Sequence, residues 1–93
     1  MSMPLFALIC RDRPGHLQTR LDNRAAHLGY IEQSGAVAQA GPFLDGAGQM
    51  CGSLVILDVA NRAAAEAWAA GDPYAQAGLF DSVTIEEWKR VIG

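Results

Sequence analysis

An α+β domain with the element order βαββαβ is predicted by three observations on this sequence. Short apolar runs fall near the start, in the middle and near the end of the chain, two intervening segments carry helical periodicity, and each of those segments closes on a glycine. The chain has 93 residues, 51% of them apolar, which supplies one packed core and a single domain over residues 1–93.

"PLFALIC" (4–10) is apolar on both faces and bounded by Pro4 and the turn "RDRPG", as a central strand would be. Between Gly15 and Ser34, the residues Leu17, Leu21, Leu28 and Ile31 share a stripe about 80° wide at a rotation of about 100° per residue. That spacing is an amphipathic helix, and Gly35 is placed to end it. "AVAQAGPF" (36–43) reads as a short strand stopped by Gly41 and Pro42, because proline cannot donate to a sheet ladder. The loop "LDGAGQ" then leads into "MCGSLVILDVA" (50–60), the most strand-like segment, so the two strands form a hairpin. Asn61 offers a side-chain oxygen to cap the helix "RAAAEAWAA" (62–70), and Gly71 ends it. In "SVTIEEWKRV" (82–91), Val83, Ile85 and Glu87 alternate with Thr84, Glu86 and Trp88, the pattern of a half-buried strand.

Two βαβ units in tandem, each with a right-handed crossover, generate the ferredoxin-like arrangement. It is a four-stranded antiparallel sheet with both helices on one face. The opposite face needs a cover, since Leu5, Ala7 and Ile9 are as apolar as Phe6, Leu8 and Cys10. A chain this short buries only roughly 60% of the surface its unfolded form exposes. Sheet-to-sheet packing into a homodimer, or a larger assembly built on it, is the expected remedy.

The net charge of −3 and the scattered basic residues leave no electrostatic footprint for nucleic acid. The first apolar run has no basic flank or cleavage site, and no run approaches the ~18 residues of a membrane helix. A cytoplasmic protein is expected, with no membrane partner. Cys10 and Cys51 lack the CxxC spacing of a metal or redox motif and read as small buried hydrophobes. Two histidines without a consistent carboxylate spacing argue against a metal site.

The first helix holds the anomaly that points to chemistry. Arg24 lies within about 20° of Leu17 on the wheel, with Arg20 and His27 at the edge of the same stripe. An arginine on a face that should be dry needs an acid, carbonyl groups or an anionic ligand, unless its long stem carries the charge out to water. His16, at the helix start, reads as a surface residue. Two acids compete for His27. Strands one and three are expected to be parallel, so both helices finish at the same end of the sheet, which brings Asp72 near His27 and leaves Asp12 about 18 Å away along the helix axis. Asp-Pro is a common turn after a helix, yet an acid at a helix C-terminus opposes the macrodipole. Hydrogen-bonded to one ring nitrogen of His27, Asp72 would fix the tautomer and leave the other nitrogen for proton transfer.

The segments "RDRPGHLQTRLDNRAAHLGYIEQSG", "AQAGPF", "GSLVILDVANRAAAEAWAAGDPYAQAGLF" and "WKRVIG" together resemble the YciI-like family along nearly the whole chain. The resemblance implies a ferredoxin-like dimeric α+β barrel with an active site centred on a histidine and an aspartate, here His27 and Asp72. Arg20, Arg24, Asp12, the Gly41–Pro42 turn and Tyr74 would belong to the pocket that binds substrate. The family includes a dehydrochlorinase acting on a chlorinated hydroxyhydroquinone, and related barrels include muconolactone isomerase, activities that need no metal or organic cofactor. The resemblance therefore implies a cofactor-independent lyase or isomerase for a small anionic or phenolic molecule. A non-catalytic dimeric binding protein and a cofactor-free oxygenase are the alternatives. The connection "LDGAGQMC" is shorter than in the family's long-looped members, so no lid or partner contact is assigned to it.

Overall fold

A computed structural model describes residues 4–93. The elements are β1 (Leu5–Asp12), α1 (Leu17–Ser34), β2 (Val37–Leu44), β3 (Met50–Asp58), α2 (Arg62–Gly71), the single turn α3 (Pro73–Gln76) and β4 (Phe80–Trp88). The strands form one sheet in the order β2-β3-β1-β4, with every neighbouring pair antiparallel. The ferredoxin-like α+β fold expected from the sequence is the one observed, with α3 as an addition. Among the described residues, no helix is long and apolar enough to cross a membrane.

Alternation along the strands decides which side chains meet the helices. Phe6, Leu8 and Cys10 of β1 pair with Leu57, Val55 and Ser53 of β3. Their apolar members join Val59, Ala65 and Trp68 in the core. Burial and the nearby Asp72 carboxylate push the Cys10 thiol up to about 12, so it stays neutral. Cys51 is half-buried, and both thiols are free. The residues between them, Leu5, Ala7 and Ile9, pair with Asp58, Ile56 and Leu54 on the opposite face, where among the described residues Leu54 is 36% exposed while Ala7 and Ile56 are buried.

One expectation about direction was wrong. β1 and β3 are antiparallel, not parallel, because the β2–β3 hairpin reverses the chain between the two βαβ units. α1 and α2 therefore run in opposite senses. With 18 residues α1 rises roughly 27 Å, and with 10 residues α2 rises roughly 15 Å from the other end. α2 stops about halfway along its neighbour, so Asp72 arrives at the level of His27 in the middle of the sheet.

The helix face also differs from expectation. Arg20 and His27 are the buried residues of α1, whereas Leu21 and Leu28 are 47% and 46% exposed. The packing direction is turned from the leucine stripe toward Arg20, His27 and Ile31, because the polar residues find partners inside and the leucines line the rim. Gly15 has φ +77° and cannot be helical, so α1 starts at Leu17; Gly35, with φ +62°, ends it as expected.

Three strand ends moved for reasons of pairing. β1 runs on to Asp12 because Arg11 meets Gly52 and Ser82, and Asp12 meets Phe80. β4 stops at Trp88, opposite Leu5, where β1 has no further residues to pair, and Val91 and Ile92 lie exposed beyond it. β2 passes through Pro42 to Leu44 instead of stopping there. It is an edge strand, where a missing N–H can point away from the sheet.

Gly71 is the last residue of α2, with no left-handed φ. Its lack of a side chain serves Tyr30, whose hydroxyl donates to Trp68 O at 2.9 Å and would lie 2.5 Å from a Cβ at position 71. Gly71→Ala should destabilise the protein by about 1–3 kcal/mol through this overpacking. Urea unfolding checks it, and in a Tyr30→Phe background the loss should shrink.

Candidate functional site

A cavity of about 180 Å³ opens between α1 and the β2 and β3 strands. Its polar lining includes Arg20, Arg24, His27, Ser53 and Tyr74, and its apolar walls come from Leu28, Ile31, Pro42, Met50 and Val55. Residues from α1, β2 and β3 meet Tyr74 of α3 there because α2 stops short.

His27 is 6% exposed and Asp72 2%. Their side chains meet at 2.8 Å between Nδ1 and Oδ1. An ionised carboxylate only accepts, so the proton of this hydrogen bond resides on His27 Nδ1 and Nε2 is the ring's basic nitrogen in the neutral form. The same Oδ1 accepts the Tyr74 backbone N–H at 3.0 Å and caps α3. Asp72 thus ends one helix, starts the next and holds the imidazole. The sequence foresaw the last of these tasks and missed α3, whose signal was the Asp-Pro pair: aspartate is a good N-cap and proline suits the first helical position.

Asp12 does not reach His27. It forms a two-pronged pair with Arg20, Nε to Oδ2 and Nη2 to Oδ1, both at 2.8 Å. Ser53 accepts a further Arg20 Nη2 bond at 2.9 Å. Burial alone would lower the Arg20 pKa, but the hydrogen bonds and charge of Asp12 more than offset it and hold the guanidinium above its usual range. Sequence reasoning passed over Ser53 as a partner of Arg20; its position opposite Cys10, at the inner end of β1, appears only once β1 and β3 are paired.

Arg24 corrects another expectation, since it is exposed instead of buried among leucines. It nonetheless lines the cavity and makes no ion pair among the described residues. Arg20 is paired with Asp12, so among the described residues Arg24 is the cavity-lining arginine without an ion pair. Gly41 and Pro42 line the β2 side as expected. His16 is half-buried and its Nδ1 lies 3.1 Å from Pro14 O, outside the cavity lining.

Tyr74 is 2% exposed and packs its ring on the His27 imidazole, with centroids 3.9 Å apart and planes 14° from parallel. The Arg20 guanidinium sits 4.7 Å from the Tyr74 ring centre. Burial raises the Tyr74 pKa, partly countered by the Arg20 and Arg24 charges, which keeps the phenol protonated. Among the described residues, no three His, Cys, Asp or Glu side chains gather as metal ligands.

Fold and site together define a ferredoxin-like α+β domain with a buried histidine–aspartate pair beside a small half-apolar cavity. The chain belongs to the YCII-related domain family, whose pattern matches residues 4–89. It is similar to Protein YciI of Escherichia coli O6:H1 (strain CFT073), with 34% identity over 94% of this chain and 98% of that one. An uncharacterised protein of Haemophilus influenzae is 33% identical, covering 92% of this chain and 97% of its own. Among solved structures, it resembles 5-chloro-2-hydroxyhydroquinone dehydrochlorinase (TftG) from Burkholderia phenoliruptrix AC1100, in complex with 2,5-dihydroxybenzoquinone. The two share 36% identity at a TM-score of 0.85, covering 91% of this chain and 93% of that one. An antibiotic biosynthesis monooxygenase shares the fold alone, at 14% identity and a TM-score of 0.61 over 97% of this chain and 100% of its own.

The two arginines should separate cleanly by mutation. Asp12→Ala leaves the buried Arg20 charge unpaired and should cost about 3–5 kcal/mol, while Arg24→Ala should stay within about 0.5 kcal/mol of the parent. Urea melts of the two variants test this; equal losses would contradict the assignment.

Proposed function

We propose that this protein is a cofactor-independent enzyme of lyase or isomerase type acting on a small anionic or phenolic molecule, with His27 moving the proton. The single observation that carries the reading is the buried His27 Nδ1–Asp72 Oδ1 hydrogen bond at the wall of a ligand-sized cavity. Asp72 fixes the tautomer, Nε2 takes or gives the proton, and Arg24 holds negative charge on the substrate or intermediate. The cavity volume suits one substituted ring, and its apolar walls suit a ring's faces. Similarity to the dehydrochlorinase supports a hydroxylated or halogenated quinol as the first substrate class to try.

A chlorinated hydroxyhydroquinone elimination would run here as proton removal from a ring hydroxyl by Nε2, with the electron pair moving through the ring. The chlorine-bearing carbon takes up a proton to give the keto tautomer, and loss of a second hydroxyl proton with departure of chloride then gives a hydroxylated benzoquinone, so that H⁺ and Cl⁻ are released and the redox state of the protein does not change.

In this reading the working unit is a cytoplasmic homodimer. The sheet face away from the helices carries Leu5, Ile9 and Leu54 beside Trp88, which is 39% exposed. A second copy laid on this face would bury it.

Chloride release from chlorinated hydroquinones, followed with an ion-selective electrode, tests the activity. His27→Gln should lower kcat/KM about 10²- to 10⁴-fold, and Asp72→Asn should also lower it while α2 and α3 persist by circular dichroism, because Asn caps a helix as well as Asp. Unchanged turnover in the His27 variant would sink the role assigned to it. Leu54→Glu, placed on that face away from the cavity, should halve the mass seen in sedimentation equilibrium; a wild-type monomer would refute the dimer.

A further inference from the structure

We infer that Tyr74 is a positioning residue for His27: its ring fixes the plane of the imidazole and so aims Nε2, a task that the Asp72 hydrogen bond cannot perform alone. This deepens the proposed function and rests on His27 being its proton carrier.

A single hydrogen bond locates Nδ1 but tolerates tilting of the imidazole through small changes in χ1 and χ2. A flat surface against the ring removes that freedom. Tyr74 supplies one at van der Waals distance, nearly parallel and buried. Its own position is fixed from several sides. The backbone N–H of Tyr74 is held by the same Asp72 oxygen that holds His27. Phe80 meets the ring edge-on with centroids 6.0 Å apart.

Arg20 provides the remaining support. Arg20 and His27 lie seven residues apart on α1, roughly 10 Å along its axis, yet both sit within contact of one Tyr74 ring, at 4.7 and 3.9 Å. The ring is therefore clasped between a guanidinium and an imidazole projected from the same helix face about two turns apart. Arg20 is itself immobilised by Asp12 and Ser53. The pair that first looks like a ligand-binding group thus acts as the back stop of the stack, and the one-turn helix α3 and its N-cap supply the two residues that orient His27, Tyr74 and Asp72.

The test reads the state of the imidazole directly, without a substrate. In long-range ¹H–¹⁵N spectra, wild-type His27 should show the Nδ1–H tautomer, with ring protons upfield of those of His16 because they lie over the Tyr74 ring. Tyr74→Phe should preserve both features. Tyr74→Met fills similar space without a plane; it should abolish the upfield shift and raise the population of other imidazole orientations roughly 2- to 10-fold, the range expected from losing one aromatic stack. In turnover, Tyr74→Met should lower kcat with little effect on KM.

Unchanged His27 tautomer, ring mobility and kcat in folded Tyr74→Met would overturn the inference, as would a Tyr74→Phe variant that behaves like Tyr74→Met, since the hydroxyl would then be the active group. If Tyr74→Met fails to fold, the wild-type spectrum still decides: His27 protons without the upfield shift refute the stack. Asp72→Asn separates this inference from the reading beneath it. A His27 tautomer that does not respond to Asp72→Asn removes the reading beneath, whereas a ring orientation that does not respond to Tyr74→Met, with the tautomer still sensitive to Asp72→Asn, removes only the role of Tyr74.

Discussion

The Asp72 carboxylate is the constraint around which the site is built. At 2% exposure it has given up nearly all its water, and a buried anion without partners would be strongly destabilising. One oxygen takes both the Tyr74 N–H and the His27 ring nitrogen. Satisfying it requires α2 to stop at mid-sheet, the chain to turn at Pro73, and α1 to present a histidine instead of a leucine inward. The cavity beside these residues follows from the same geometry, since a longer α2 would carry Asp72 and the α3 turn away from His27.

A second buried pair supports the first. Asp12 and Arg20 close the end of the sheet with two 2.8 Å hydrogen bonds, and Arg20 reaches Tyr74, which reaches His27. The order Asp12, Arg20, Tyr74, His27, Asp72 places an acid at each end and an aromatic ring between two nitrogen-bearing groups. Such buried networks contribute less to stability than to defining one arrangement, because each member left unpaired is costly. Arg24 stands outside the chain of contacts. Among the described residues it is the cavity-lining arginine without an ion pair.

The sheet face away from the helices is a separate matter. A sheet of four strands with its helices on one side has two faces, and the described helices pack on one of them. The pairing of Leu5, Ala7 and Ile9 with Asp58, Ile56 and Leu54 collects these residues on the other face. It lies across the sheet from the helices, so any cover placed there leaves the His27 stack in contact with α1, α3 and β4.

By itself the sequence determined the types and order of the four strands and the two long helices, though not α3, because apolar periods of two and 3.6, the cap at Asn61 and the stop at Gly35 are local properties. It also singled out His27, Asp72, Arg20 and Arg24 as residues too polar or too placed to be incidental, and the family pattern tied the first two together. Other features depended on the tertiary structure. The leucine stripe pointed α1 the wrong way by part of a turn, since periodicity cannot know that Arg20 and His27 find acids inside. The relative sense of the helices was misjudged, since local patterns do not record that a hairpin reverses the chain between the two units. The pairing of Asp12 with Arg20, the escape of Arg24 to the rim and the stacking of Tyr74 on His27 were all decided by contacts between residues distant in sequence. Hydrogen-bond and stacking partners are chosen by three-dimensional proximity, and only the packed sheet and helices set those distances.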